Sequence, residues 1–445
     1  MLPDSQPGTP VEEIPVMPSQ KEPRFKIGYR WRICALLFFA IILNYVDRQV
    51  LSNLVTEESF LRDVGLMGAD GNLNKELYGY LDAAFKVAFV LGFLAMGKLL
   101  DIMGSRRGFT FAVSLWSLGG IGQALVGSVT GLGITRFFLG FGEAGNLPAS
   151  VKTVSEWFPK KERSFATGIF NAGANVGAVV APLFVAYFVI NFTWHYAFVV
   201  SGLLGFVWIF FWLRTYKKPE EHPSLSQKEL SYIRQGYREG PQVKVPWLEL
   251  FSKRQTWAYA VGKFLSDPIW FIYMIWLPTF FKEEHGVDLQ NMFVPMLIIY
   301  LISDVGSVMG GWLSTRLIDN GWSVGNARKF SMFACALLAV PAFVAATTQN
   351  IWLAIILIGF ATAAHQGFMA NLYTMISDCF PSSHVASVAG IGSTFGAIGG
   401  VIMSGLSGLI YAGYGPLPLF LIGSFSYLFA TGMIHLLNPK YNQAI

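Results

Sequence analysis

The sequence predicts an all-α membrane protein, with twelve transmembrane helices in two pseudo-symmetric six-helix bundles and both termini cytoplasmic. Three observations carry this. The 445 residues are 53% hydrophobic and only 13% charged, where soluble domains carry about 25% charge. Apolar runs of about 20 residues, enough for a helix to cross the ~30 Å hydrocarbon layer, recur from end to end. A repeat at an offset of 222 residues relates the two halves.

Residues 1–27 are Pro-rich and polar and lack the apolar core and cleavage site of a signal peptide, so a disordered cytosolic tail is expected. The N-terminal bundle, 28–215, holds spans at 30–54, 75–100, 107–128, 131–156, 163–190 and 195–215. A polar cytosolic linker follows at 216–254. Its "LSQKEL" predicts a short helix, with Ser226 and Glu229 as a capping box and Leu225 against Leu230 as a hydrophobic staple. The C-terminal bundle, 255–438, holds spans at 255–281, 289–317, 328–347, 351–378, 385–412 and 417–437, before a cytosolic tail at 439–445. Every backbone amide must be paired inside lipid, which makes helices the natural form, and the 46 glycines point to close helix packing.

Basic residues orient the chain, because cytoplasmic loops retain Lys and Arg. Lys21, Arg24, Lys26, Arg30 and Arg32 precede the first span, Arg106 and Arg107 follow the second, Lys160, Lys161 and Arg163 follow the fourth, and Arg328 and Lys329 follow the eighth. This bias accounts for the net charge of +5, so nothing calls for a nucleic-acid partner. Cys34, Cys335 and Cys379 are too scattered for a metal motif and are expected as reduced, buried thiols. Neither a metal site nor a cofactor is expected. His is sparse, no nucleophile constellation occurs and the linker is too short for an output domain, which argues against an enzyme or a sensor.

The repeat matches "SEWFP" at 155–159 with "SDCFP" at 377–381, and the same offset pairs Gly145 with Gly367, Gly168 with Gly390, Gly177 with Gly399, and Arg106-Arg107 with Arg328-Lys329. Two bundles of equal orientation follow, related by an axis along the membrane normal, with a cavity between them. After the second span, "GKLLDIMGSRRG" forms a candidate cytoplasmic gate. Gly97 permits close helix approach, Asp101 sits at a helix terminus, Gly104 completes the spacing, and Arg106 and Arg107 are expected to pair with carboxylates such as Glu156. The second half carries a weaker, longer version, "GGWLSTRLIDNGWSVGNARK".

An ionised side chain at mid-bilayer costs at least ~2.5 kcal/mol, so charges within spans should face a cavity or a partner. Asp82 and Lys86, like Lys263 and Asp267, stand four residues apart and can neutralise each other. Arg136 and Glu143 share a stripe two turns apart, Asp47 and Arg48 are adjacent and point in different directions, and Asp304 lies in span 8. A cation in a wet cavity can hold an anionic substrate while a nearby carboxylate carries a proton, which is symport in electrostatic terms. Polar groups converge on the same region: Asn171 and Asn175 in span 5, and His365, Gln366, Asn371 and Thr374 in span 10. Trp270, Tyr273 and Trp276 in span 7 can stack on a sugar ring or form an interfacial belt. His365 occupies the repeat position of Glu143 and is a candidate second titrating group.

With these motifs assembled, the sequence resembles the anion:cation symporter branch of the major facilitator superfamily, and within it the hexuronate transporters. The likeness rests on "NYVDR", "GKLLDIMGSRRG", "RFFLGFGEAGNLPASVKTVSEWFPKKERSFATGIFNAGANVG", "KFLSDPIW" and "AHQGFMANLYTMISDCFP". It implies uptake of a small sugar acid with protons through alternating access, by a monomer in a bacterial-type inner membrane. Carried over, Tyr45, Arg48 and Lys263 would contact the substrate, with Gln366 and Asn371 toward the sugar hydroxyls. Asp47 and Glu143 would be the protonation sites and Arg136 their switching partner. The Asp82 and Lys86 pair is not typical of the branch and bears on the site's charge count. An aldonate symporter would share nearly all these residues, and an organophosphate exchanger would use Arg48 and Lys263 as paired cations.

Overall fold

A computed structural model describes residues 28–69, 71–235, 246–287, 291–441 and 444. The expected tail at 1–27, part of the linker and most of the last residues lie outside the described residues. Fourteen α-helices follow in chain order among the described residues. They are α1 (Tyr29–Leu54), α2 (Glu58–Asp63), α3 (Lys75–Gln123), α4 (Val129–Glu143), α5 (Asn146–Trp157), α6 (Arg163–Asn191) and α7 (Trp194–Thr215). Then come α8 (Gln227–Ile233), α9 (Arg254–His285), α10 (Phe293–Asp319), α11 (Val324–Ala339), α12 (Ile351–Cys379), α13 (Val385–Tyr414) and α14 (Leu417–Leu437).

Nine of these helices, with α11 extended by a 3-10 turn to Ala346, and ten with the bent α9 counted as one span, are long and apolar enough to cross a membrane among the described residues. The difference from the expected twelve has two causes. A straight 49-residue α3 would run about 74 Å, more than twice the hydrocarbon thickness. It instead reverses at Gly104, whose φ of 76° and ψ of 163° are closed to other residues, and Gly108 comes to rest on Leu100. The region expected as one fourth span is divided at Ala144 and Gly145 into α4 and α5, of 15 and 12 residues. The bend in α9 is 44° and falls between Tyr273 and Ile275. Pro278 explains it, because its ring displaces the carbonyl four residues earlier.

In the linker, Ser226 Oγ accepts from Glu229 N at 3.1 Å and starts α8. The reciprocal half of the capping box is replaced: the Glu229 carboxylate accepts from Arg30 N and Nη1, tying the linker to the start of α1.

The helices pack as two lobes. In the first, α1 lies on α6 and the arms of α3 on α4 and α7; in the second, α9 lies on α13 and α14, and α12 on α10 and α11. The lobes meet along α3 against α13 and α6 against α10. Glycine sets both crossings. A Cβ on Gly97 would lie 2.6 Å from Ala386 O and one on Gly390 2.2 Å from Phe93 O. At the other crossing, Gly311 stands at 2.3 Å from Ser164 O and Gly168 at 2.3 Å from Ser307 O by the same measure. Ser164 and Gly168 sit 222 residues before Ala386 and Gly390, so the repeat builds one clasp twice.

Because the atoms facing Gly97 are backbone, a larger residue there cannot be accommodated by a rotamer change. Gly97→Val should leave each lobe folded but hold this seam open. Spin labels at Arg107 and Trp322, exposed residues of different lobes, should move apart in the variant; an unchanged distance distribution counts against the clasp.

Candidate functional site

Between the lobes lies a cavity of about 430 Å³, within the range of small-molecule sites. α1 lines it with Asn44, Tyr45 and Arg48, α3 with Asp82, Lys86 and Phe89, and α4 with Arg136 and Glu143. Asn171 of α6, Lys263, Asp267 and Trp270 of α9, and His365, Gln366 and Tyr373 of α12 complete the wall.

Every carboxylate in the wall is tied to a cation. Arg48 Nε donates to Glu143 Oε2 at 2.9 Å and Nη2 to Asn44 Oδ1 at 3.2 Å. The guanidinium also lies 4.9 Å from the Tyr45 ring and 4.7 Å from Phe89, where the aromatic faces favour a cation. Glu143 is fully buried, whereas Arg48 keeps about a quarter of its side chain exposed to the cavity. Arg136 donates to Arg48 O at 3.2 Å and stacks 4.7 Å from Phe85, and its buried Nε has no hydrogen-bond partner. Lys263 Nζ pairs with Asp267 at 2.7 Å and donates to the Tyr373 hydroxyl at 3.3 Å. Lys86 pairs with Asp82 at 2.6 Å. Among these, Arg48 and Lys263 bring a cation from each lobe to one chamber.

Neutral groups fill the remaining wall. Asn171 Nδ2 donates to Gln366 Oε1 at 2.6 Å and to Ser307 Oγ at 3.3 Å, so the amides expected at a substrate also join the lobes. His365 stacks on Trp270 at 5.1 Å, and its Nδ1 lies 2.8 Å from the Tyr427 hydroxyl.

Three expectations are corrected, and Asp47, expected as a protonation site, is located away from the wall. Asn371 is not at the cavity: its Oδ1 accepts from Ser164 Oγ at 2.9 Å and its Nδ2 donates to Gly310 O and Gly367 O, leaving it saturated by packing. Tyr273 points into the second lobe, against Phe420 and Gly423, on the far side of α9. Asp47 is buried behind the cavity, inside the first lobe near Gly120, Ser201 and Trp116. Arg106 and Arg107 do not pair with Glu156. The Glu156 carboxylate instead accepts from Ser105 Oγ and the Tyr216 hydroxyl, while Arg106 donates to Leu213 O at 2.8 Å. Burial first, and then Glu156 itself, push the Tyr216 hydroxyl well above its ordinary value, so it stays a donor. Asp304 lies outside the cavity wall and accepts from Asn175 across the seam at 2.7 Å.

The cavity is sealed toward the face that carries Gly28, the α8 linker and the end of α14. Asp101 accepts from Ser387 N at 2.7 Å and Ala386 N at 3.3 Å, the orphan amides that begin α13, and pairs with Lys152 at 2.8 Å. Lys152 Nζ also donates to Ser382 O. Nearby, Asp378 lies between Arg328 of its own lobe, at 3.1 Å, and Arg163 of the other, at 3.6 Å. Lys152 and Asp378 were not singled out from the sequence and Arg163 was read only as an orienting charge, although the repeat offset places Asp378 on Glu156. The cavity wall follows α1 from Ile41 to Ser52 and α13 from Ser393 to Ser404, so the chamber extends toward the opposite face. Among the described residues no three His, Cys, Asp or Glu side chains could hold a metal, and the three cysteines are free and buried.

Two helical lobes around a polar chamber, closed at one end by contacts between them, define a membrane transporter of the alternating-lobe kind. A profile of the Major Facilitator Superfamily matches residues 37–361, and the chain belongs to that family. It is therefore a multi-pass membrane transporter and not an enzyme. It is 30% identical over 401 residues to the hexuronate transporter of Escherichia coli (strain K12), with 89% of this chain and 90% of the relative covered. It is 28% identical over 393 residues to a probable galactarate/D-glucarate transporter of Bacillus subtilis (strain 168), covering 84% of each. The solved proton:xylose symporter XylE superposes with a TM-score of 0.74 at 15% identity, over 94% of this chain and 98% of that one, and shows the fold.

Asp101→Asn removes the charge that holds Lys152 and the α13 amides. A charged cap of this kind contributes about 1–2 kcal/mol, so the closed face should open roughly 5- to 30-fold more often. Alkylation of a cysteine introduced at the buried seam residue Ser164 should accelerate to match, whereas an unchanged rate counts against the cap.

Proposed function

We propose that the protein imports hexuronates, galacturonate or glucuronate, together with protons by alternating access across a bacterial inner membrane. The sealed face is the cytoplasmic one in this reading, both termini lie there, the chain crosses twelve times and it acts as a monomer. The single supporting observation is that Arg48 and Lys263, one from each lobe, line the same cavity while each is held by a carboxylate, Glu143 and Asp267. Relatives named for hexuronate and for galactarate/D-glucarate transport support a sugar acid as the ligand, and the hexuronate is our reading within that class.

The mechanism follows from competition. A substrate carboxylate drawn to Arg48 displaces Glu143, and a buried Glu143 that loses its cation takes up a proton. Arg136, already hydrogen-bonded to the Arg48 carbonyl, is placed to receive whichever anion is released. The sugar hydroxyls face Gln366, Asn171 and Tyr45, and the Trp270 ring offers a stacking surface. With the anion neutralised and Glu143 protonated, the chamber has less charge to carry through the rearrangement. Moving one charge through 100 mV is worth ~2.3 kcal/mol, so one proton with a monoanion is electroneutral and a second, assigned to Asp47, is needed to draw on the potential.

Counterflow of labelled galacturonate in proteoliposomes, competed by a panel of sugar acids, tests the substrate. Arg48→Ala should abolish binding; normal binding by that variant misplaces the anion site. Glu143→Gln should retain exchange but lose gradient-driven accumulation. Wild-type uptake should bring inward current and collapse with a protonophore, and uptake without charge movement removes the second proton.

A further inference from the structure

One charged pair in the cavity has no part in that mechanism. Asp82 and Lys86 of α3 line the chamber one helical turn apart, paired at 2.6 Å and each a little over 40% exposed. A half-exposed pair at this spacing adds little to the stability of a fold. Its neighbours on the same helix face, Phe85 and Phe89, carry the guanidinium groups of Arg136 and Arg48. Asp82 therefore holds one cation directly, on a helix face whose aromatic rings carry two more.

The charge count of the wall gives this a consequence. Arg48, Lys86, Arg136 and Lys263 face Asp82, Glu143 and Asp267, which leaves one positive charge in excess when His365 is neutral. In the resting wall, before Glu143 takes up its proton, one excess charge matches an acid with one carboxylate, while a dicarboxylate would bring a second negative charge to a wall whose Lys86 and Lys263 are already paired. Hydrogen bonding to hydroxyls is the same for both ligands, so charge is what separates them.

We propose that Asp82 and Lys86 form a charge selector: Asp82 occupies Lys86, so that the cavity accepts a monocarboxylate sugar acid and disfavours a dicarboxylate of the same length. This deepens the sugar-acid reading above and rests on it. Without Asp82, Lys86 of α3 is freed for a second anion on the same wall as Arg48 and Arg136.

The test compares glucuronate with glucarate on the purified, reconstituted protein, through apparent affinities in counterflow competition and thermal-shift titrations. Wild type should favour glucuronate. Asp82→Asn should move the affinity ratio toward glucarate by at least about tenfold, as one unit charge freed nearby implies. The double variant Asp82→Asn/Lys86→Gln, with the wild-type charge excess, should return the ratio toward wild type. The proposal is overturned by a folded Asp82→Asn protein with an unchanged ratio, by wild type that takes both acids equally, or by a double variant that keeps the glucarate gain. Wild type that binds neither acid removes the sugar-acid reading itself, and that outcome is distinct from a selector that fails while glucuronate still binds.

Discussion

The close approach of backbone to backbone at two helix crossings is the constraint on which the rest depends. Lipid offers no hydrophobic reward for bringing helices together, so association must come from packing and polar contact at short range. Gly97 and Gly390 at one crossing, and Gly168 and Gly311 at the other, remove the side chains that would hold the lobes apart. Only because the lobes touch there do the hydrogen bonds of the seam come within reach, such as Ser307 Oγ to Gly168 O at 2.9 Å and Thr315 Oγ1 to Lys161 O at 2.8 Å. Contacts of this type are individually weak and have no interlocked bulk, so they can be made on one face and undone without unfolding either lobe. A seam of large interdigitated side chains would be more adhesive and would not rock.

The same closure creates the electrostatic problem that the cavity solves. Four cations and three carboxylates in a chamber walled by hydrocarbon-facing helices cannot stand alone, and the pairs at 2.6–2.9 Å show how each carboxylate is held. Pairing within a lobe, Arg48 with Glu143 and Lys263 with Asp267, differs in kind from pairing across the seam. It does not lock the lobes together, and it leaves a ligand able to exchange partners with the protein. The locking charges lie elsewhere: Asp101 and Lys152, paired within the first lobe, reach the Ala386 and Ser387 amides and Ser382 O of the second, and Asp378 pairs with Arg163 across the seam, all outside the cavity wall. Ligand exchange and gating are thus carried by separate ion pairs, joined mechanically through α3 and α12.

Much of this was legible in the sequence, and the reasons are physical. Charges in apolar runs are costly, so Arg48, Glu143, Arg136, Lys263, Asp82 and Lys86 could be singled out and do line one cavity. The 222-residue offset carried Gly168 onto Gly390, and these glycines do the same work at the two crossings. What a linear pattern cannot supply is the azimuth of a residue on a helix whose neighbours are unknown. Asn371 and Tyr273 share spans with true cavity residues, and yet one is saturated by packing and the other lies behind α9. The gate shows a second limit. Arg106 and Glu156 have opposite charge and suitable positions, but Ser105 and Tyr216 lie nearer the carboxylate and satisfy it. Length and apolarity count only nine or ten spans among the described residues, because one helical run reverses at Gly104, between the spans expected at 75–100 and 107–128, and the fourth is interrupted at Ala144–Gly145.

The duplicated halves have also diverged in a way that assigns labour. Counting back from the clasp, Gly311 corresponds to Gly97 and Thr315 to Asp101. Asp101 receives the backbone amides of α13 and the Lys152 ammonium, whereas Thr315 donates one neutral hydrogen bond to Lys161 O. Charge-assisted bonds are roughly twice as strong as neutral ones. The α3 and α13 crossing is accordingly held at its charged cap, while the α6 and α10 crossing is held mainly through hydroxyls and amides, Asn171 with Ser307 and Asn175 with the Asp304 carboxylate among them, with Lys161 and Asp319 a looser pair at 3.7 Å. Two crossings of equal geometry and unequal strength let one act as the latch and the other as the surface about which the lobes turn. Symmetry supplies the fold, and its local loss at one acidic position supplies a direction to the motion.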